Sequence, residues 1–181
     1  GFGKFAGATQ VQELGELETP ILLTNTLATG RGIEALIQHT LAQPGNELVT
    51  SINAVVGETN DGRLNDIRAL RPTVDEMAMA LANAKDGPVE EGAVGGGTGT
   101  ISFGLKGGIG TASRIVGDYM LGVLVQSNFG GTLRVDGREV SDTSEADADG
   151  SIVIIAATDA PLCARNLTRV ANRSFAGLAR I

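Results

Sequence analysis

The apolar positions of this chain come in short bursts separated by turn residues, with few long stripes. Residues 20–26 (PILLTNT) make a brief apolar run opening on Pro20, too short for a helix and read as a buried strand. The spacing then changes. Ile33, Ile37 and Leu41 fall at i, i+4 and i+8, one stripe of a helix over residues 32–41 that Pro44-Gly45-Asn46 stops. Residues 48–57 read as a second strand, running out into the polar cluster Glu58-Thr59-Asn60-Asp61-Gly62. Thr73 and Glu76 form a capping-box pair after Pro72, and Val74, Met77, Ala78 and Leu81 supply the buried face of a helix ending near residues 85–88. Further on, residues 119–126 (YMLGVLVQ) predict a strand, residues 134–140 a hairpin around Asp136-Gly137, and residues 151–157 (SIVIIAA) a strongly apolar strand. Asp159 is placed to cap a last helix, with Pro161 in its first turn and Cys163, Leu167, Val170, Ala171 and Leu178 on one face. Residues 141–150 (SDTSEADADG) have nothing to bury and predict an exposed, mobile loop. Strands and helices alternate without a repeat, which predicts an α+β chain: a mixed sheet covered by helices.

Composition narrows the function classes. The 181 residues carry a net charge of −7 and no Lys/Arg cluster, which argues against a nucleic-acid backbone as partner. No apolar run is long enough to span a membrane as a helix. The one cysteine, Cys163, has no partner for an internal disulfide and supplies no zinc site; its apolar stripe makes it a core residue. The one histidine, His39, reads as structural or solvated, so a Ser-His-Asp triad is not available. Glycine is abundant, 26 of 181, and clumped between Gly92 and Gly110. That tract matches neither phosphate-loop nor dinucleotide-loop spacing, and is read as close-packed backbone bends, with backbone N–H groups serving a ligand as the alternative. Glu145, Asp147 and Asp149 before Gly150 imitate the start of a calcium loop, but Ala156 stands where a bidentate Glu is required. Asn166 and Asn172 open glycosylation sequons on a predicted helix and are read as chance matches. Glu58 and Asp61 read as turn chemistry at a strand end or as a carboxylate holding a cationic group.

Charge is lopsided. Residues 1–150 hold 10 basic and 20 acidic side chains, and residues 151–181 hold four Arg and one Asp. The step falls on Gly150-Ser151, where an acidic polar segment runs into a buried strand. A Ser at the start of a rigid strand can attack the preceding carbonyl, and Gly at that position offers no obstruction. The resulting ester hydrolyses and leaves Ser151 as a new N-terminus. Its α-amine, with a pKa of roughly 7.7–8.0, then serves as the local base for its own hydroxyl. Such a nucleophile needs no histidine. A chain opening on Gly1 without Met is read as a piece of a longer one.

Four blocks in order carry a resemblance: Glu58-Thr59-Asn60-Asp61-Gly62-Arg63-Leu64-Asn65-Asp66, the stretch GPVEEGAVGGGTGT, then KGGIGTASR, and GSIVIIAATDAPL. Together they resemble the P1 peptidases, the L-aminopeptidase/D-esterase (DmpA-type) and β-aminopeptidase family. The resemblance implies an αββα sandwich related to ornithine acetyltransferases and self-cleavage into two subunits. Residues 1–150 would form the C-terminal part of the first and residues 151–181 the N-terminal part of the second. It also implies metal-free and cofactor-free hydrolysis of N-terminal residues from small peptides, amides or esters, by a homo-oligomer of processed units. Carried across, Ser151 matches the self-processing serine and nucleophile, and Gly150 the other side of the cut. Asn128 matches the oxyanion-hole asparagine, and Glu58 the acid that holds the substrate ammonium. Asn60 stands where some relatives have an aromatic residue, and the family's second serine and glutamate fall beyond Ile181. Acyl transfer, or a catalytically incomplete binding remnant, are the alternative readings, and the compartment is left open.

Overall fold

A computed structural model describes residues 3–140 and 150–181. Of the loop expected over 141–150, residues 141–149, with Glu145, Asp147 and Asp149, lie outside the described residues, and Gly150 is not loop but the first residue of a strand. The chain opens with β1 (Phe5–Ala6) and α1 (Ala8–Leu14), two short elements with no signature in the apolar pattern. Then β2 (Ile21–Asn25), a 3-10 turn over Thr26–Ala28, α2 (Thr29–Leu41) and β3 (Val55–Thr59) make a β-α-β unit with parallel strands. Parallel strands need such a crossover, and the helix lands on the sheet face. Antiparallel β1 completes a three-stranded sheet of order β1-β3-β2.

Helix α3 (Val74–Ala82) follows, and its Thr73–Glu76 capping box is formed in both directions. Leu22, Val56, Ala28, Ala35, Leu36 and Met77 make the core between this sheet and helices α2 and α3. Ile33 and Ile37 flank that core, while Leu41, expected on the same stripe, is exposed because the helix ends there. Ala78 is also exposed, since the buried side of α3 is carried by Met77 with Val74 and Leu81 beside it.

The Gly-rich tract forms a 3-10 turn over Gly95–Gly97, the tiny pair β4 (Ile101–Ser102) and β5 (Leu105–Lys106), and then β6 (Gly108–Val116). Strand β6 hairpins into β7 (Tyr119–Phe129). The small hairpin β8 (Arg134–Val135) and β9 (Arg138–Glu139) turns on Asp136 and Gly137, both at positive φ as a tight hairpin turn requires. Strand β10 (Gly150–Thr158) lies antiparallel to β7 over nine register pairs, giving a second sheet of order β10-β7-β6.

The two sheets stack, with β3 against β10 and β7. Helix α4 (Ala164–Asn172) contacts β10, and α5 (Ser174–Leu178) follows it. Helices, sheet, sheet, helix is the αββα order.

Four local expectations are corrected. The second strand starts at Val55 and not at residue 48, because Val49 closes a turn onto Asn46 and Leu48 is almost fully exposed. Asp159 does not cap the last helix; its Oδ1 accepts the Met120 N–H at 2.7 Å, tying the end of β10 to β7, and Cys163 occupies the N-cap. Cys163 itself is exposed, not core, because the cap residue lies before the helical stripe begins. Leu167 and Ala171 are exposed as well, with only Val170 and Leu178 half-buried, since α4 meets β10 through few residues.

Candidate active site

Ser151 is the second residue of β10, and its register partner on β7 is Asn128. Directly opposed residues of antiparallel strands share a face, with Cβ atoms roughly 4.5–5.5 Å apart. Pairing, not proximity in sequence, therefore brings these two side chains together. Both line a cavity of about 350 Å³ at one end of the sandwich, with Gly150, Asn60, Glu58 and Thr26. All four residues singled out from sequence, Gly150, Ser151, Asn128 and Glu58, are thus gathered on one cavity.

Each is held by a specific device. The Asn128 amide bridges β4 and the turn after β3: its Oδ1 accepts the Ile101 N–H at 3.0 Å, and its Nδ2 donates to the Asn60 carbonyl at 2.8 Å. That bond uses one of its two amide protons, and among the described residues the other has no acceptor, so it remains for a group in the cavity. Glu58 lies inside β3, not past its end, and is 4% exposed. The turn reading of Glu58 is corrected accordingly: the strand carries it into the sandwich, and the turn begins at Asn60. Its Oε1 accepts the backbone N–H of Lys4 at 2.7 Å, and its Oε2 accepts the Thr26 hydroxyl. A carboxylate has about four acceptor positions, and these two bonds use two of them among the described residues. Asn60 turns its Oδ1 back onto the Gly62 N–H at 3.1 Å, an Asx-type turn, and so adds no hydroxyl to the cavity.

Gly150 is required by space. A Cβ there would stand 2.4 Å from the Phe129 Cα and 2.5 Å from the Asn128 carbonyl oxygen, both backbone atoms. Gly150→Ala is expected to push the start of β10 off β7 and misalign Ser151. The 150/151 cleavage that the family resemblance implies should then slow at least about ten-fold, read by denaturing gel against time.

Asp61 does not join this cavity. It is buried beside Asn65, whose Nδ2 donates to its Oδ2 at 3.0 Å, and its Oδ1 has no partner among the described residues. Burial pushes its carboxyl above the ordinary value, and the Asn65 bond only partly opposes this. A raised carboxyl favours the protonated form in the fold, so its stabilising contribution is complete below the unfolded value and is lost as pH rises through the folded one. Asp61→Asn is therefore expected to raise Tm at pH 7, with the gain vanishing below about pH 3.9. Melting curves of both proteins across that range check it.

His39 sits half-buried in the last turn of α2, away from the cavity. Among the described residues no group of three or more His, Cys, Asp or Glu side chains could hold a metal ion, and no helix is long and apolar enough to cross a membrane. Sequence reasoning missed Thr26 and the Lys4 backbone. The only hint of Thr26 is that it follows the strand whose Asn25 pairs with Thr59, next to Glu58.

The similarity of this chain to known proteins is extensive. The family model described as peptidase family S58 matches residues 1–181. The chain is 38% identical over 205 aligned residues to the β-peptidyl aminopeptidase BapA of Sphingosinicella xenopeptidilytica, covering 99% of this chain and 51% of that protein. Among solved structures, the β-aminopeptidase of Burkholderia sp. superposes with a TM-score of 0.91 at 42% identity, over 100% of this chain and 53% of that one. The L-aminopeptidase D-Ala-esterase/amidase of Ochrobactrum anthropi, a serine aminopeptidase described as a variant of the Ntn hydrolase fold, gives 0.89 at 36% identity, over 99% and 53%. The chain thus spans about half the length of these relatives. With its four motif blocks, its αββα order and a match along its whole length, the chain belongs to peptidase family S58.

Proposed function

We propose that the protein to which this chain belongs is a self-processing serine aminopeptidase. It releases N-terminal residues from small peptides, amides or esters without a cofactor. The observation that carries this is the one cavity on which Ser151, Asn128 and Glu58 converge. In the first reaction the Ser151 Oγ attacks the Gly150 carbonyl carbon, the peptide nitrogen leaves as the Ser151 α-amine, and water hydrolyses the ester. Residues 1–150 and 151–181 then belong to separate subunits.

In turnover, that amine takes the Ser151 hydroxyl proton while Oγ attacks the substrate carbonyl. The free Asn128 amide proton meets the developing oxyanion. The amine hands its proton to the leaving group, and water, activated by the same amine, releases the acyl group. Glu58 accepts from the substrate ammonium, which restricts attack to the first residue of a chain.

The named relatives are peptidases and amidases, which supports hydrolysis over acyl transfer. Assembly into a homo-oligomer belongs to the same proposal, supported by the exposed apolar tip of the β6–β7 hairpin at Ile115, Val116, Tyr119 and Met120.

The test compares an amino-acid p-nitroanilide with its N-acetylated form. Intact protein should cleave the first and ignore the second. Glu58→Gln, which removes the partner of a buried charge, should cost on the order of 10²-fold in kcat/KM for the free-amine substrate. Equal cleavage of both substrates by the unaltered protein would overturn the proposal.

A further inference from the structure

Gln126 is fully buried on β7, where an apolar side chain would be the ordinary occupant. Its Nε2 donates to the Thr24 carbonyl at 3.0 Å and to the Thr59 hydroxyl at 2.7 Å. Thr24 lies on β2 and Thr59 on β3, so one amide ties both parallel strands of the first sheet to the middle strand of the second. Its Oε1 has no partner among the described residues. A buried unpaired acceptor is costly, and stability alone would favour Met or Leu at this position.

The placement of these bonds is the informative part. Gln126 is two residues before Asn128 on the same strand face. Its register partner on β10 is Val153, two residues after Ser151. At the other end of its bonds, Thr59 adjoins Glu58, and Thr24 is the register partner of Glu58. Every residue that Gln126 holds is therefore a neighbour of a site residue. Asn128 adds one directional bond at the edge, to the Asn60 carbonyl; otherwise, among the described residues, the sheets meet through apolar contact, such as Val153 against Gly57. Such contact is non-directional and resists sliding weakly. The two hydrogen bonds are directional and resist it.

Building on the aminopeptidase reading, we infer that Gln126 is a positioning residue. It sets the distance from the ammonium-binding Glu58 to the Ser151–Asn128 pair, and so which backbone length between amine and carbonyl the site accepts. The Gly95–Gly97 turn is fitted to it. A Cβ on Gly96 would stand 2.3 Å from the Gln126 Oε1 and 3.2 Å from the Leu23 carbonyl oxygen, which explains glycine at that position of the tract.

The experiment uses the intact protein, Gln126→Met, and two substrates. An aminoacyl p-nitroanilide needs Glu58, Ser151 and Asn128; p-nitrophenyl acetate, with no ammonium, needs only the last two. Gln126→Met is expected to lower kcat/KM for the anilide at least ten-fold, mainly through KM, and to leave acetate-ester turnover within about two-fold. Adding Glu58→Gln to Gln126→Met should then cost much less than it does alone. If Gln126→Met does not fold, Gly96→Ala displaces the same amide from the other side and should give the same selective loss. Equal losses on the two substrates, or no loss on either, overturn the positioning role. An unaltered protein inert toward both substrates overturns the aminopeptidase reading and this role with it.

Discussion

Ser151→Ala is expected to migrate as one uncut chain on a denaturing gel and to release no p-nitroaniline from an aminoacyl anilide. Both effects have one cause. Without Oγ there is nothing to attack the Gly150 carbonyl, so the ester that precedes cleavage never forms. Without cleavage the Ser151 nitrogen stays a peptide N–H and is no base. Cutting the chain by an added protease would not rescue activity, because the acyl group would still have no oxygen to accept it. Loss of a nucleophile in comparable enzymes is on the order of 10⁶ in kcat. The fold should survive, since β10 is held to β7 by nine register pairs that do not involve the hydroxyl. Intact mass and an unchanged Tm separate this outcome from misfolding. A two-subunit pattern in Ser151→Ala would sink the self-processing mechanism.

Asn128→Ala is expected to lower kcat by about 10²–10³ while leaving KM little changed, the range for removing one oxyanion donor. A donor used only as the carbonyl becomes tetrahedral affects kcat and kcat/KM alike. The substitution also removes the acceptor for Ile101 N–H and the donor to the Asn60 carbonyl, so stability should fall by about 1–2 kcal/mol. Asn128→Asp separates the two effects. It keeps an oxygen for Ile101 but replaces the amide protons with negative charge facing the developing oxyanion. Its stability should lie nearer the unaltered protein than that of Asn128→Ala, and its activity should be lower. Steady-state kinetics and melting curves on the three proteins read both quantities. Activity in Asn128→Asp equal to the unaltered protein would remove Asn128 from the oxyanion site.

Much of the local structure was legible because it is written in neighbouring residues. The Thr73–Glu76 pair spells out a helix start, and Asp136-Gly137 spells out a hairpin turn. The apolar run after Ser151 is a strand on composition alone. Strand β6 was illegible for a physical reason. Its residues GIGTASRIV mix small, polar and apolar side chains without alternation and are mostly exposed, so nothing in the pattern marks a buried face, and its pairing with β7 is what makes it a strand. The face of the last helix misled for the opposite reason. Apolar spacing announces a surface that wants cover, but the spacing does not say how much of it β10 contacts.

The site divides along the same line. Residues local in sequence supply the marks from which the chemistry is proposed: a Gly-Ser junction at a strand start, no histidine placed to build a triad, and motif blocks in the order of the S58 peptidases. The sequence also marked Glu58, as one of two readings of a strand-end carboxylate and then by resemblance, and Asn128 by resemblance alone. Only in the folded chain do these residues meet. Asn128 reaches Ser151 through the β7–β10 register, and it reaches the loop after Glu58 by a bond spanning 68 positions of chain. Gln126 reaches Thr24 across 102. Period and propensity report what a residue does to its own few neighbours. Strand register and sheet stacking are set by contacts distant in sequence, and the distances that make three side chains a site exist only once both sheets have closed on each other.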